Sequence, residues 1–137
     1  MALHAFDQRA LELLMKDIKL FNMLRTSEPT WYPRFIGVNL EEMNLEGANF
    51  FGADLTGANL KGAILEKANL CAANLEEADL MGAQLMEADL RKSNLRGVKN
   101  FSQALCLEDC LIAGACLSKE DLEIYLQAVR TSCVQKI

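Results

Sequence analysis

A period of five residues repeats twelve times without a slip between residues 38 and 98, and few folds are compatible with it. In single letters the units are VNLEE, MNLEG, ANFFG, ADLTG, ANLKG, AILEK, ANLCA, ANLEE, ADLMG, AQLME, ADLRK and SNLRG. The third residue of each unit, its centre, is always Leu or Phe: Leu40, Leu45, Phe50, Leu55, Leu60, Leu65, Leu70, Leu75, Leu80, Leu85, Leu90 and Leu95. The first residue is Ala in nine units, and the second is Asn or Asp in ten. Such a fixed period predicts a repeat architecture in which each unit packs on its neighbours.

A five-residue period matches neither common secondary structure. An α-helix would scatter the leucines around its axis, and a strand with a period of two would place successive leucines on opposite faces. A chain that turns a corner every five residues keeps every centre inside, and strand alternation brings the first residue of each unit to the same inner side. Four sides close a square coil of about twenty residues, so that Leu40, Leu60 and Leu80 stack in one column. The centres are therefore predicted to form the structural core.

The units resemble the motif A-(D/N)-L-x-x of the pentapeptide-repeat protein family. The resemblance is carried strictly by residues 38–98 and more loosely by the flanking segments. It implies an all-β solenoid, a right-handed quadrilateral β-helix, here of about four coils or 19–20 Å of axis. The best-understood members of that family imitate DNA with an acidic β-helix and modulate a type II topoisomerase. The motif itself is specific for the fold and says little about function.

The repeat becomes irregular at both ends. Upstream, Phe35 lies five residues before Leu40, so residues 33–37 are interpreted as a worn first unit. Downstream, two extra residues near Asn100–Gln103 restore the period, with these predicted centres and inward first positions: Leu107, Ile112 and Leu117, and Leu105, Cys110 and Ala115. A competing register has other centres: Phe101, Cys106, Leu111 and Cys116. It would bury the charges of Lys99 and Asp109, which is costly, so the first register is favoured.

Both ends of a β-helix expose apolar side chains and unpaired backbone groups, and helices are predicted to cover them. At the N-terminus an apolar helical stripe runs through residues 3–25: Phe6, Ala10, Leu13, Leu14, Ile18, Phe21 and Leu24. Trp31 with Tyr32 is expected to plug this end. At the other end Ser118 and Asp121 form a capping box that opens a helix over 119–134, with one apolar face: Leu122, Tyr125, Leu126 and Val129.

The predicted organisation is a helical cap and linker (1–32), a β-helix (33–117) and a capping helix (118–137). The N-terminal helix could instead dock on a partner or join protomers into a homo-oligomer.

Charge and hydropathy exclude several classes of function. The net charge is −5, and residues 38–98 hold the whole excess, with five basic and ten acidic side chains. A chain without a basic cluster is a poor candidate for binding nucleic acid directly. No apolar stretch approaches the roughly 20 residues that span a bilayer. Asp7, Arg9 and Glu12 interrupt any apolar region of a secretory signal, so we expect a cytoplasmic protein with no membrane partner.

The sequence offers little that could support catalysis. Its single histidine, His4, lies near the N-terminus, and no glycine-rich phosphate loop is present. Asp54, Asp79 and Asp89 could suggest a pair of acids for glycoside hydrolysis. They occupy the Asn/Asp position of the repeat, however, where the side chain is expected to hydrogen-bond corner backbone. We therefore expect no enzymatic activity, no metal and no cofactor.

Five cysteines are spaced unlike any standard zinc signature: Cys71, Cys106, Cys110, Cys116 and Cys133. Free thiols are expected in a cytoplasmic chain, with Cys110 as a small buried hydrophobic residue. A disulfide that joins Cys133 to Cys106, Cys110 or Cys116 is the alternative, because it would fix the C-terminal helix to the last coil.

The fourth residue of each unit points outward, and the apolar ones are candidates for a contact surface. Phe51, Met81 and Met86 are predicted to be exposed, and Arg91 lies in the basic last strict units, whereas Glu41, Glu42 and Glu46 are in the first coil. We expect a non-catalytic scaffold that presents a rigid surface to a protein partner whose identity the sequence does not give. The alternative is a DNA mimic of the gyrase-protection type. A rod of about 20 Å with a basic last third fits that role less well than a uniformly acidic one.

Overall fold

The computed structural model describes residues 4–135. Helix α1 comprises Ala5–Lys16 and helix α2 Ile18–Ser27. The repeats follow as a β-solenoid, interrupted near its end by two 3₁₀ turns at Phe101–Gln103 and Leu107–Asp109, and helix α3 comprises Lys119–Gln135. None of the helices in this part of the chain is long and apolar enough to cross a membrane.

Each unit contributes one parallel bridge to the unit a full coil later. The second residues of the units pair in columns, such as Asn39 with Asn59 and Asn59 with Asp79. The N–H of Leu40 donates to the carbonyl of Asn59 (2.9 Å), and the N–H of Asn59 donates back to the carbonyl of Val38 (2.9 Å). Because the same pattern recurs on every side, the backbone forms continuous hydrogen-bonded ladders along the axis.

The interior is a stack of leucines and alanines. All twelve centres of the strict repeat are completely buried, and so is Phe35 in the preceding unit. The first residues of the units from Ala48 to Ala88 are buried beside them. Ser93 takes the place of Ala in one unit, and its hydroxyl donates to the carbonyl of Leu90 (2.6 Å), so no buried polar group is left without a partner there.

The four sides of the solenoid are named here by their centres. Face 1 contains Leu40, Leu60 and Leu80, and face 2 contains Leu45, Leu65, Leu85 and Leu107. Face 3 contains Phe50, Leu70, Leu90 and Ile112, and face 4 contains Phe35, Leu55, Leu75, Leu95 and Leu117. Within every unit the second and fourth residues point outward, so each face carries two columns of surface side chains.

The last residue of each unit turns the corner in the left-handed backbone region. Glycine is not required at every corner, since Glu42, Lys67 and Ala72 adopt the same positive φ. Gly52 differs from the others, because a Cβ there would lie 2.5 Å from a ring carbon of Tyr32. Glycine at this corner therefore allows Tyr32 to pack on the first coil.

The last coil differs in detail from the predicted register. The two extra residues are inserted separately: Asn100 and Cys106 each adopt a left-handed conformation and open a 3₁₀ turn. Phe101 and Leu107 are the buried centres that follow them, and Ile112 and Leu117 pack against the core. Leu105, predicted to point inward, is instead 50% exposed, and Ala104 occupies the inward position. The prediction was wrong because it placed both insertions before residue 104, which shifts the alternation by one.

The N-terminal segment is two helices rather than the predicted single one. Asp17 leaves the helical conformation (φ −157°), and its carboxylate accepts hydrogen bonds from the N–H groups of Lys19 and Leu20, which begins α2. Phe21 of α2 is completely buried, with ring centroids 6.2 Å from Phe35 and 5.9 Å from Phe50. Phe21, and not the predicted Trp31, therefore fills this end of the interior.

Helix α3 covers the other end with much less burial. The Ser118 hydroxyl accepts a hydrogen bond from the N–H of Asp121 (3.0 Å) and so caps the helix. Ile124, Tyr125 and Ala128 pack against the core, but no residue of α3 is fully buried. Leu122, predicted to lie on the apolar face, is exposed.

Candidate protein-binding surface

The outward columns are held in place by the corners themselves. The side chain of the second residue accepts a hydrogen bond from the N–H two residues later, as in Asn39 to Glu41 (3.2 Å) and Asn69 to Cys71 (3.1 Å). Neighbouring coils also join through side chains, since the Asn59 amide donates to Asn39 Oδ1 (3.1 Å). These contacts order the surface without any partner present.

Acidic side chains are concentrated on one of the four faces. Between residues 34 and 116 there are seven basic and twelve acidic residues, a net charge of −5. Face 2 contains five acidic residues and one basic residue, a net charge of −4: Glu46, Glu66, Lys67, Glu87, Glu108 and Asp109. Faces 1 and 4 each have a net charge of −1, and face 3 has +1. Net charge therefore differs between the four faces as well as along the axis, and face 2 is the most acidic.

Exposed apolar side chains lie on the same acidic face. Ile64 and Leu105 occupy one outward column on either side of Gln84, and Met86 is the other outward residue of the unit that contains Gln84. Met86 is 38% exposed, Leu105 50%, and Ile64 is half-buried. We call Ile64, Gln84, Met86 and Leu105 the face-2 patch. Met81, 44% exposed, lies across the adjacent corner on face 1.

Phe51 and Arg91, the other residues predicted to join this surface, lie elsewhere. Both are on face 3, and Phe51 is in the first coil, where its ring lies 6.3 Å from that of Tyr32. Arg91 is held by its neighbour, since its guanidinium donates to both oxygens of Asp89 (2.9 and 2.7 Å). Phe51 thus belongs to the contact between the segment that follows α2 and the first coil, and only Met81 and Met86 lie on or beside the face-2 patch.

The three repeat aspartates have structural partners. Asp54 Oδ1 accepts from the N–H and the hydroxyl of Thr56 (3.1 and 2.6 Å). Burial opposes ionisation of Asp79, but hydrogen bonds from Asn100 and the Met81 N–H, together with Lys61, lower its pKa. The hydrogen bonds from Arg91 likewise lower the pKa of Asp89 despite some burial. A general acid needs a raised pKa, so the directions at Asp79 and Asp89 are the opposite of what that role requires.

The five cysteines are all free thiols, and the alternative disulfide from Cys133 to the last coil is not formed. Burial raises the pKa of the Cys110 thiol to about 12, and its Sγ lies 2.9 Å from the Leu107 carbonyl. Burial, with Glu108, Asp109 and Glu66 nearby, also raises the pKa of Cys106. Because the thiolate is the reactive form, neither thiol is set up as a nucleophile.

Other chemical groups are sparse in the described part of the chain. His4 is exposed at the start of α1, where its ring accepts a hydrogen bond from the N–H of Phe6 (3.4 Å). Among residues 4–135 no group of three or more His, Cys, Asp or Glu side chains is arranged to hold a metal ion. The expectation of a non-enzymatic protein without metal or cofactor stays a prediction.

The face-2 patch was only partly predictable from the sequence. Met86 was found because Met is unusual at the fourth position of a unit. Ile64 departs from the Asn/Asp pattern at the second position, which could have marked it as a surface apolar residue. Leu105 was missed because the register was displaced there, and the acidic bias appears only when every fourth unit is compared.

Comparison with known proteins gives one consistent family. The profile of pentapeptide repeats matches residues 34–66 and 63–99, with eight copies in all. A pentapeptide repeat protein from the cyanobacterium Cyanothece 51142 is 36% identical over 63% of this chain and 54% of its own, with a TM-score of 0.48. One from Nostoc PCC 7120 is 34% identical over 60% of this chain and 73% of its own (TM-score 0.34). One from the Arabidopsis thaliana thylakoid lumen is 26% identical over 68% and 70% (TM-score 0.42). No curated protein matches.

Proposed function

Because the chain belongs to the pentapeptide-repeat family, whose fold is a right-handed β-helix solenoid, we propose that it is a non-catalytic scaffold that binds another protein. The observation that carries this proposal is the coincidence of acidic and exposed apolar side chains on face 2. In this proposal the β-helix has about four coils and helical caps, and the face-2 patch is the contact surface. The partner has an apolar contact residue bordered by basic side chains.

The solenoid presents this surface without a large ordering cost. Each unit is joined to the next coil by backbone hydrogen bonds, such as Leu65 N–H to Gln84 carbonyl (2.9 Å) and Leu85 N–H to Leu105 carbonyl (3.0 Å). The centres below the patch, Leu65 and Leu85, are completely buried. A rigid surface loses little conformational entropy on association, and more of the contact energy therefore appears as affinity.

The apolar side chains can provide affinity, and the acidic ones orientation. Complete burial of a Met or Leu side chain contributes about 1.5–3 kcal/mol, so burying the exposed parts of Met86 and Leu105 is a substantial gain. Met adapts its shape to a partner surface more readily than branched residues do. The surrounding carboxylates favour approach of a basic partner and disfavour an acidic one.

Charge density makes the DNA-mimic alternative less favourable. Duplex DNA carries about one negative charge per 1.7 Å of axis, which gives roughly eleven charges over the 19 Å of four coils. The net charge of residues 34–116 is −5, and −4 of it is on one face. The surface is thus less acidic than a duplex of the same length and contains apolar side chains that a phosphate backbone does not imitate.

Affinity capture with matched variants tests the proposal. Extract from the cell that produces the protein is passed over the wild type, over Met86→Lys with Leu105→Lys, and over Ile36→Lys, and captured proteins are quantified by mass spectrometry. Ile36 is a suitable control because it is 43% exposed on face 4. We expect a protein that the wild type and the Ile36 variant retain and the double variant loses. Equal capture by all three, or equal loss in both variants, would contradict the proposal.

Two further expectations belong to the same proposal. The five free thiols are compatible with a reducing compartment, and we place the protein in the cytoplasm. A homo-oligomer would form through the N-terminal helices, whose outer side exposes Leu20 and Met23. Size-exclusion chromatography of Leu20→Lys with Met23→Lys tests this, because the variant should elute later than a wild-type oligomer.

A further inference from the structure

The hydrogen-bond pattern of the solenoid defines which backbone groups its first coil must leave open. In every coil after the first, the N–H of a unit's second residue donates to a carbonyl of the preceding coil. The carbonyls of the unit's second and fourth residues accept from N–H groups of the preceding coil. Asn59 N–H thus bonds Val38 (2.9 Å), while the carbonyls of Asn59 and Lys61 accept from Leu40 and Glu42 (2.9 and 2.8 Å). The first coil, residues 33–52, has no preceding coil, so these groups form a free edge.

Helices α1 and α2 close part of this edge with side chains that replace a coil. Asn22 accepts from the N–H of Asn49 (2.8 Å) and donates to the carbonyl of Gly47 (2.9 Å). Arg25 donates to the carbonyls of Asn49 (3.2 Å) and Phe51. Asp7 accepts from the N–H of Arg34 (3.2 Å). The unit on face 3 is therefore fully paired.

Two consecutive units of the same coil remain unpaired. Among the described residues, nothing in the protein pairs with the N–H groups of Asn39 and Asn44, or with the carbonyls of Asn39, Glu41, Asn44 and Glu46. These four residues are exposed. Other backbone groups of both units already form hydrogen bonds with the second coil, such as Leu45 N–H to Ile64 carbonyl (2.8 Å). The six free groups are spaced like the groups through which each later coil bonds the coil that precedes it.

A groove lies directly beside this edge. It has a volume of about 480 Å³ and is bounded on one side by Asn44 and Glu46 and on the other by the junction of α1 and α2. Leu14, Met15 and Ile18 are its apolar lining residues, and Lys16, Asp17 and Lys19 are its charged ones. The groove is therefore large enough for a short peptide segment, and two of the residues that line it, Asn44 and Glu46, carry free backbone groups of the edge.

The charges along the edge specify the kind of segment. Glu41, Glu42 and Glu46 form no ion pair within the described residues. Lys16 and Lys19 line the same groove as Glu46, so unopposed negative charge is greatest at Glu41 and Glu42. Charged side chains on an exposed edge discourage pairing with like-charged strands, including the acidic repeats of a second copy. The same charges favour a basic strand.

We propose that units 38–42 and 43–47 bind a basic segment of a partner protein, which adds to the first coil as a parallel chain and turns with it at the Glu42 corner between the two units. Its backbone pairs with the free groups at Asn39, Asn44 and Glu46, its basic residues lie over Glu41 and Glu42, and an apolar residue contacts Met15 and Ile18. This is β-strand addition, in which main-chain hydrogen bonds give affinity and side chains give specificity. The site is two coils from Met86 and does not depend on the face-2 patch.

A peptide titration tests strand addition directly. The probe is the capped decapeptide acetyl-Thr-Lys-Thr-Lys-Gly-Val-Thr-Val-Thr-Gly-amide, whose lysines precede its apolar residues in the parallel direction and whose central Gly permits the turn at the corner. One control peptide has Glu in place of each Lys, and the other carries N-methyl groups on alternate backbone amides. Binding is followed in ¹H–¹⁵N spectra of the full chain. We expect the probe to shift the amides of residues 38–47 and of the α1–α2 junction, and both control peptides to bind at least about five-fold more weakly.

Variants at Asn44 separate the backbone from the side chain. Asn44→Ala keeps the free N–H, whereas Asn44→Pro removes it without breaking a hydrogen bond to the next coil, since Ile64 bonds Met43 and Leu45 instead. We expect the Pro variant to bind the probe about five-fold more weakly than the Ala variant, and Met86→Lys to bind like the wild type. Equal binding of the N-methylated peptide, or no shift at residues 38–47 in the wild type, overturns the proposal. The peptide comparison needs no variant and decides the question even if Asn44→Pro fails to fold.

Discussion

The two ends of the solenoid are closed in different ways. At the first coil, Phe21 is completely buried between the ends of two columns, and Arg25, only 6% exposed, bonds the carbonyls of Trp31, Asn49 and Phe51. At the last coil, α3 has no fully buried residue, and its one side-chain hydrogen bond to the solenoid runs from the Tyr125 hydroxyl to the Cys110 carbonyl (3.2 Å).

This difference shows that an apolar contact and the pairing of edge groups are separate requirements for closing a β-solenoid. The N-terminal helices meet both on face 3, pair the Arg34 N–H on face 4, and leave faces 1 and 2 open. Helix α3 covers the last coil chiefly by half-buried side chains. We therefore expect the N-terminal end to unfold with the central coils and α3 to open independently.

The largest effect is expected from removal of the N-terminal plug. Phe21→Ala leaves a cavity next to Phe35 and Phe50 and should reduce the free energy of unfolding by about 3–5 kcal/mol, measured by urea denaturation. Met23→Ala on the same helix is the control, because Met23 is 66% exposed and should change stability little. A loss below 1 kcal/mol for the Phe21 variant would show that this end is no more tightly closed than the other.

Arg25 tests the polar part of the same closure. Arg25→Met keeps much of the side chain but removes the donors to three carbonyls, and we expect a loss of about 2–3 kcal/mol. Burial lowers the pKa of Arg25, yet a guanidinium remains charged at every pH used for such measurements. Arg130→Met in α3 is the control, because its pair with Glu123 is exposed on both sides. Equal effects of the two substitutions would remove the distinction between the ends.

Gly52 tests how closely Tyr32 packs on the first coil. Gly52→Ala adds a Cβ in a left-handed conformation and brings it against the Tyr32 ring, whereas nothing lies within 4 Å of a Cβ at Gly57. We expect Gly57→Ala to cost about 1 kcal/mol, from backbone strain alone, and Gly52→Ala to cost about twice that. Thermal denaturation of both variants measures the difference. If the two are equal, Tyr32 does not contribute to closing this end.

The smallest effect at neutral pH is expected at Cys110, beneath α3. Burial raises its pKa to about 12 from an ordinary value of 9.0, so the folded state holds the thiol neutral. Its contribution to stability is complete below about pH 9 and is lost as the pH rises toward 12. Over that interval the thiol ionises in the unfolded state while it stays neutral in the folded state. Unfolding free energies in reductant should fall more steeply over that interval for the wild type than for Cys110→Ala. Cys116→Ala, at an exposed site, is the control and should follow the wild type.

The regular part of the molecule was predictable because one local rule decides it. A Leu at every fifth position can be buried only if the chain turns at every unit, and Leu40 to Leu95 are all buried as that rule requires. The last coil was predicted less well, since the sequence does not show whether the second inserted residue comes before Ala104 or after Leu105. The roles of Asn22 and Arg25 could not be predicted, because they depend on where α2 lies relative to a backbone edge 24 to 27 residues away. The unpaired backbone groups at Asn39 and Asn44 follow from that placement, so they could not be predicted from the sequence either.

Native-state hydrogen exchange of the full chain tests the contrast between the ends most directly. The reference is the amide of Leu70, which donates to the Asp89 carbonyl (2.8 Å) in the middle of the solenoid. We predict that amides in the last turns of α2 and at Asn49 exchange nearly as slowly as Leu70, while those of α3 exchange at least about a hundred-fold faster through local opening. Protection of α3 equal to that of Leu70, or fast exchange at Asn49, would show that the two ends of the solenoid are closed equally well.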